Sequence, residues 1–390
     1  MIPRGKLDIS FSDIGTGIYY CISKFLKFNR SLSPLKDNTL LCLSVRTGFD
    51  LTLSALKLPA GSEIIVTNIN IPDMFAIIKA HGLVAVPIPL CKHTLGISAR
   101  QVEAVIGPNT KAILVTHLFG AVMDTEELAD IARRKGLLVI EDCAQAFIGS
   151  KYTGNKQSDV VMYSFGLIKT NTTLTGAMLQ INNQVLCTDV SALNDALPRQ
   201  KTRLYLKKLF KGLLIKILTL KIIYSLLYRF SRAKGIDFDD LLSGFSKGFP
   251  GTDVMKKIRF RPCVPNEQLM HTRLTHFSDK QIKKRKDLAT DLLRNISPDA
   301  EIGKRNINHA HWVLPVQCKD PELFISRLRA NGFDATAKAS SLVQLPASTI
   351  DHEDNYDLLQ LEHLVYLPMF TGMSKHKREE LNLLINQSTG

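Results

Sequence analysis

Asp142, Ser164 and Lys169 are the residues of this 390-residue chain whose types and spacing bring together groups that could do chemistry. The aspartate and the serine each close a short apolar run, and the lysine follows the serine by five positions. A lysine amine adds to an aldehyde and afterwards carries a proton. A neighbouring carboxylate favours the charged form of a basic partner. Taken singly, such a lysine is ordinarily a solvated surface charge, and an aspartate after a strand is ordinarily a turn or helix cap. Their joint placement at two strand ends, with His117-Leu-Phe-Gly upstream, is what argues for a site.

Strands must hold these residues, and the sequence supplies them. From Leu40 to about Ile181, short apolar runs alternate with helical patterns, which predicts an α/β domain with a mainly parallel sheet. The runs are Leu40–Ser44, Glu63–Thr67, Val84–Pro87, Lys111–Thr116, Leu137–Glu141, Asp159–Tyr163 and Ala177–Ile181. In such a sheet ligands collect outside the carboxyl ends of the strands, where Asp142 falls. The clearest connecting helix has Asp124 as its cap, Glu127 three residues on, and Leu128, Ile131 and Ala132 at helical spacing. Arg133, Arg134 and Lys135 load its last turn before Gly136 stops it. A second periodic region begins near Arg261. It contains a long polar helix (Asp279–Asn295), a strand at His311–Val316, a helix at Pro321–Asn331, an extended piece Leu364–Phe370 and a last helix Lys375–Asn386. The expected division is a large domain (1–195), a basic helical insertion (196–250) and a smaller carboxyl-terminal α/β domain (251–390).

The block KAILVTHLFGAVMDTEELADIARRKGLLVIEDCAQAFIGS, followed by SDVVMYSFGLIKT, resembles the DegT/DnrJ/EryC1/StrS family of fold-type I aminotransferases, most of which act on nucleotide-linked keto-sugars. The resemblance covers most of the chain outside the basic insertion. It implies pyridoxal 5′-phosphate as cofactor, an amino-acid donor, a keto-sugar acceptor, nucleotide- or lipid-linked, and a homodimer. Residue by residue, Lys169 matches the Schiff-base lysine and Asp142 the carboxylate paired with the pyridine nitrogen. Gln145 matches the Gln or His beside the ring, and Ser164 the phosphate-binding hydroxyl. The ring is an electron sink only while its nitrogen stays protonated, which an adjacent carboxylate favours.

Other positions depart from the family pattern. Val45-Arg46-Thr47-Gly48 stands where the family has a Gly-Thr phosphate loop, so Arg46, Thr47 and the helix start that follows are the candidates for phosphate. Ile71 replaces a ring-stacking aromatic, and TNTTLTGA after Lys169 replaces a Gly-rich loop. Arg259-Phe-Arg-Pro is similar to the family's N-Y-R segment, which reaches the partner subunit, and implies Arg261 at the substrate. The family's His-Tyr substrate motif is absent from Asp334–Ser341. His117 reads as a packed or capping histidine, and His311-Trp312 as core strand. Two rival functions remain: a dehydratase of the same fold, whose relatives carry histidine in place of the lysine, and a non-catalytic, membrane-associated regulatory protein on a degenerate scaffold.

Composition sets the outer bounds. With 45% hydrophobic and 22% charged residues the chain is globular, and its length allows two cores. Seven scattered cysteines with no C-x-x-C pair suggest neither a disulfide framework nor a zinc site, so no metal is expected and a reducing compartment fits. The amino terminus has no secretory apolar core, so the expected location is cytoplasmic, with room for a peripheral place on the inner membrane face. Between Asp195 and Asp237 there is no acidic residue but eleven basic ones, from Arg199 to Lys234; subtracting these from the net charge of +14 leaves +3 for the rest. Within 203–232 the longest charge-free run, Ile222–Tyr228, is far below the ~20 residues of a transmembrane span. Projected as one helix, Arg203, Lys207, Lys211, Lys221, Arg229 and Arg232 fall in a stripe. Two readings fit: helices packed on the enzyme with solvated lysines, or an interfacial element on an anionic membrane surface. Nucleic acid is disfavoured, since no binding module accompanies the charge.

Overall fold

The computed structural model describes residues 1–25, 38–240, 253–337, 341–347 and 357–389. Its strands are Thr39–Cys42 (β1), Glu63–Thr67 (β2), Ile69–Asn70 (β3), Val84–Ile88 (β4), Thr110–Thr116 (β5), Leu138–Asp142 (β6), Val160–Ser164 (β7) and Ala177–Ile181 (β8). Seven of them form one sheet in the order β1-β8-β7-β6-β5-β2-β4. The neighbours from β7 to β4 run parallel, while β8 is antiparallel to both β7 and β1. The mainly parallel sheet anticipated from the apolar runs is therefore present, with ends shifted by a residue or two. Successive residues of the central strands feed two separate cores, as the two-residue side-chain period requires. Ile64, Val66, Leu114 and Ile140 enter one, and Ile65, Ile113, Val115 and Val139 the other.

Among the described residues up to 233, the α-helices that accompany this sheet are Phe11–Phe25 (α1), Val45–Leu56 (α2), Pro72–Ala80 (α3), Ala99–Val105 (α4), Glu126–Lys135 (α5), Gln184–Ala196 (α6), Thr202–Leu218 (α7) and Lys221–Ala233 (α8). The start of α5 differs from the expectation. Thr125, not Asp124, is its cap, because the Asp124 carboxylate accepts the Glu126 N–H (3.1 Å) and so closes a turn one residue before the helix. Its end is as anticipated, with Gly136 left-handed at φ 65°.

Beyond the sheet, Leu314–Gln317 pairs antiparallel with Leu364–Leu367. Helices Lys280–Leu292, Pro321–Ala330 and Lys375–Thr389 surround this pair, with Leu288, Val316, Phe324, Val365 and Leu381 in a third core. Ile2 joins the same core and bridges to Phe333. His311 and Trp312 are not core strand as expected. His311 adopts φ 46°, a turn conformation, and the strand begins only at Leu314.

The basic segment folds as α7 and α8, with Thr219–Leu220 between them. That break ends the single helical register on which the projected stripe of cations depended. Residues 241–250 of the expected insertion lie outside the described residues, as do 338–340 of the Asp334–Ser341 stretch. Helix α7 is built into the body. Tyr205 and Leu209 share a core with Ile14 and Leu174, and Gly212 lies so close that a Cβ there would meet Leu174 Cδ1 at 2.6 Å. In α8, the buried Tyr224 hydroxyl donates to Asp334, which also pairs with Arg4 at 2.7 Å. Among the described residues no helix is long and apolar enough to cross a membrane.

Candidate active site

The carboxyl ends of β5, β6 and β7 bring Thr116, Asp142 and Ser164 to one edge of the sheet, with Thr116 in register with Asp142. Asp142 is buried and accepts the Ala144 N–H at 3.0 Å and, weakly, the Asn70 amide at 3.4 Å. Asn70 is fixed in that orientation, since its carbonyl accepts the Ile71 N–H (2.7 Å) and its amide also donates to Thr116 Oγ1 (2.8 Å). Burial pushes the Asp142 carboxyl above its usual range; the hydrogen bonds and the charge of Lys169 oppose this only in part.

Lys169 reaches the same place from the turn after β7. Its Nζ stands 4.0 Å over the ring of Trp312, a cation–π contact, and the indole N–H donates to the Ile168 carbonyl at 2.9 Å. Burial lowers the amine to about 7; Asp142 pulls in the opposite direction, and the charge of Arg46 lowers it further. A lysine in that range offers a neutral, nucleophilic amine near neutral pH. Trp312 comes this close because of Gly120, left-handed at φ 98°, where a Cβ would lie 2.5 Å from the Trp312 backbone N. The glycine of H-L-F-G thus admits the 309–312 segment to the sheet edge.

The remaining sequence candidates divide. Gln145 is buried, and its carbonyl accepts the Phe119 N–H (2.9 Å), which leaves the amide NH2 as its free donor group. Ser164 Oγ accepts a long bond from Gly166 N at 3.4 Å. Arg46, in the first turn of α2, pairs with Asp73 at 2.5 Å and still acts on Lys169 through its charge. Thr47 is turned inward: its hydroxyl donates to the Ile258 carbonyl (2.8 Å), and its N–H is capped by Ser44 (3.2 Å). Arg261 is not brought to the group; it pairs with Asp195 at 2.7 Å. In the loop after Lys169, Asn171 (φ 54°) and Leu174 (φ 69°) are left-handed without being glycine. The loop keeps a backbone path that glycine favours, at a typical ~1–3 kcal/mol of strain each.

Glu141, one residue before Asp142, points away from the site and is saturated. It accepts His117 Nε2 (2.9 Å), Ser158 Oγ (2.5 Å), the Asn155 N–H (2.7 Å) and the Tyr152 hydroxyl. These donors hold its carboxyl below the usual range against the opposing effect of burial. His117 Nδ1 accepts the Met123 N–H at 2.9 Å, so the ring is the neutral tautomer with its proton on Nε2. With both ring nitrogens and both carboxylate oxygens engaged, and burial keeping the adjacent Cys143 a thiol, the His117–Glu141–Cys143 group is closed to a metal. His117 is a packed histidine, as read from the sequence. Sequence reasoning missed Asn70, Trp312 and Arg285. Arg285 is buried, and both its terminal nitrogens lie 3.2 Å from Thr170 Oγ1. The only local signal was the single tryptophan in a His-rich stretch.

The residues fit pyridoxal 5′-phosphate: a lysine amine lowered toward neutrality shares the strand-end edge with a buried carboxyl that has no charged hydrogen-bond donor, and Arg46 in the first turn of a twelve-residue helix acts on the same lysine. Residues 34–217 match the model of the DegT/DnrJ/EryC1/StrS aminotransferase family. The GDP-perosamine synthase of Caulobacter vibrioides is 33% identical over 155 residues, covering 39% of this chain and 42% of that protein. The enzyme of the same name from Escherichia coli O157:H7 is 36% identical over 139 residues, 35% and 38% of the two chains. The chain thus spans about two-fifths of the length of these relatives. Over nearly full length it shares the fold of sugar aminotransferase CalS13 from Micromonospora echinospora, with TM-score 0.63, 17% identity and coverage of 99% and 100%. The PMP form of Spr1654 from Streptococcus pneumoniae gives TM-score 0.65 and 14% identity, with coverage of 99% and 97%.

The two adjacent carboxylates respond oppositely to mutation. Glu141→Ala strands buried neutral donors, each left unsatisfied at a cost of ~1–3 kcal/mol, and should destabilise the fold in urea unfolding. Asp142→Asn should raise the melting temperature of the cofactor-free protein at neutral pH. A carboxyl whose pKa is raised on folding favours the fold at low pH and loses that contribution as pH rises through the folded value, so the advantage of Asn should fade as pH falls toward the ordinary carboxylate range. A melting temperature lowered by Asp142→Asn at pH 8 would contradict this assignment.

Proposed function

We propose that this chain, whose residues 34–217 match the DegT/DnrJ/EryC1/StrS aminotransferase family model, is a pyridoxal-phosphate-dependent aminotransferase of that family that moves an amino group from an amino-acid donor to a keto-sugar. The observation that carries the proposal is the Lys169 amine, lowered to about 7 beside the buried Asp142. When bound, the cofactor supplies the electron sink and carries the amino group between the two substrates. Lys169 is the amine that would hold the cofactor and would carry a proton at Nζ. Asp142 would hold a proton on the ring nitrogen, adding a charged donor to the two neutral ones this carboxylate already accepts from. Asn70 and the Ala144 N–H orient that carboxylate. Gln145, anchored through Phe119, would use its amide NH2 to orient the ring. Ser164, Arg46 and the start of α2 hold the phosphate, and Thr47 serves by fixing that helix start rather than by contact.

The acceptor belongs to the same proposal. Similarity to GDP-perosamine synthases makes a GDP-linked keto-sugar the first acceptor to test. Homodimer formation also belongs here: Arg261, held by Asp195 on its own chain, is the residue we assign to the partner's site. The dehydratase reading is weaker, because Lys169 occupies the position that is histidine in that class.

Incubation with pyridoxal 5′-phosphate, glutamate and a GDP-linked keto-sugar should release 2-oxoglutarate in step with aminated sugar. Lys169→Ala should lose at least ~10³-fold of that rate while keeping its fold, since it removes both the anchoring amine and the proton carrier. Loss of the sugar's hydroxyl without 2-oxoglutarate would overturn transfer in favour of dehydration.

A further inference from the structure

Helix α8 is inside out. Its buried face carries Tyr224 (2% exposed) and Ser231, whereas Ile222 (77%), Leu226 (59%) and Phe230 (58%) stand in solvent. The exposed three recur at i, i+4 and i+8 and so form one stripe. Helix α7 repeats the arrangement. Tyr205, Leu209 and Gly212 are buried against the body, and Phe210, Leu214 and Ile217 are exposed on the opposite side. A globular helix turns its apolar stripe toward the core, and contiguous exposed apolar surface on a soluble body marks a binding face.

The charge around these stripes identifies the occupant. Arg203 and Lys207 continue the α7 stripe toward its amino end at the same helical spacing, and Arg229 and Arg232 flank the stripe of α8. From 196 to 236 the chain has eleven cations and no carboxylate. A second copy docked across a two-fold axis would set this basic surface against itself. A nucleic-acid surface wants polar and cationic groups, not exposed Ile, Leu and Phe at its centre. An anionic bilayer matches both features, since it takes aliphatic and aromatic side chains below the headgroups and cations among them.

We propose that the exposed faces of α7 and α8 form an interfacial docking surface for anionic lipid. Both helices are fixed to the body, α7 through Leu174 in the Lys169 loop and α8 through Tyr224 on Asp334, so the whole molecule sits on the membrane in one orientation. The catalytic reading is not needed for this proposal. Its consequence for that reading is that the Lys169 loop is held from the lipid-facing side of the protein.

The test is flotation of the full-length protein with vesicles of phosphatidylcholine alone or mixed with phosphatidylglycerol. The protein should float with the mixed vesicles and much less with the neutral ones. Salt near 1 M, where the Debye length falls to ~3 Å, should weaken attachment. The combined variant Ile222→Ser, Leu226→Ser, Phe230→Ser, all surface positions, should keep the thermal melt and bind mixed vesicles ~10-fold less or weaker. Lys207→Glu with Arg229→Glu should lose attachment as well. Flotation of the triple variant equal to that of the unaltered protein would overturn the proposal, as would failure of the unaltered protein to float. Dissociation of an oligomer in the triple variant, with no vesicle binding by either form, would assign the face to a second copy instead.

Discussion

Two carboxylates stand side by side at the end of β6 with opposite surroundings, and the rest of the site depends on that contrast. Glu141 collects four donors and stays ionised in the interior; Asp142 receives one good hydrogen bond and one long one, and burial raises its pKa. Alternation along a strand forces the two onto opposite faces of the sheet. Saturating one therefore fixes the strand end and aims the other. The donors of Glu141 come from the turn that follows β5 and from the segment between β6 and β7, so the network ties together the ends of the strands that carry Thr116, Asp142 and Ser164.

From the other side, the 309–312 segment closes on this edge through the space left at Gly120. Trp312 then lies against Lys169, and the lysine loses water without gaining a carboxylate at hydrogen-bonding distance. Desolvation and the charge of Arg46 outweigh the attraction of Asp142, which is why the amine falls to about 7. A buried amine that titrates near neutrality and a buried carboxyl that resists ionisation are each unfavourable alone. Both conditions are relieved by a ligand that has an electrophilic carbon at one end and a basic ring nitrogen at the other.

Much of this was legible in the sequence, for identifiable reasons. The seven apolar runs became the seven strands of the sheet because buried parallel strands need continuous apolar segments, and strand ends located Asp142 and Ser164 to within a residue. Side-chain partners chosen across long separations were not legible. Thr47 lost its hydroxyl to Ile258, more than two hundred residues away, and Arg261 was taken by Asp195. Trp312 was assigned to a strand because its apolar neighbours continue into one; the left-handed turn at His311 has no glycine to announce it. The cap at Thr125 instead of Asp124 reflects a local competition for one N–H that spacing rules cannot rank. In the basic segment, composition showed the charge, but only the break at Thr219–Leu220 and the burial of Tyr224 showed which faces are left outside.

The central claim is that Lys169, Asp142 and Trp312 enclose one cofactor site, and the only tryptophan of the chain reports on it directly. Titration of the purified protein with pyridoxal 5′-phosphate, followed by Trp312 emission and by absorbance together, should show saturable quenching that tracks a new visible band. The rate of band formation should rise with pH through about 7 as Lys169 loses its proton. In Lys169→Ala the visible band should be absent. A band that forms in Lys169→Ala as in the unaltered protein, or one that forms while Trp312 emission stays constant, would contradict the account.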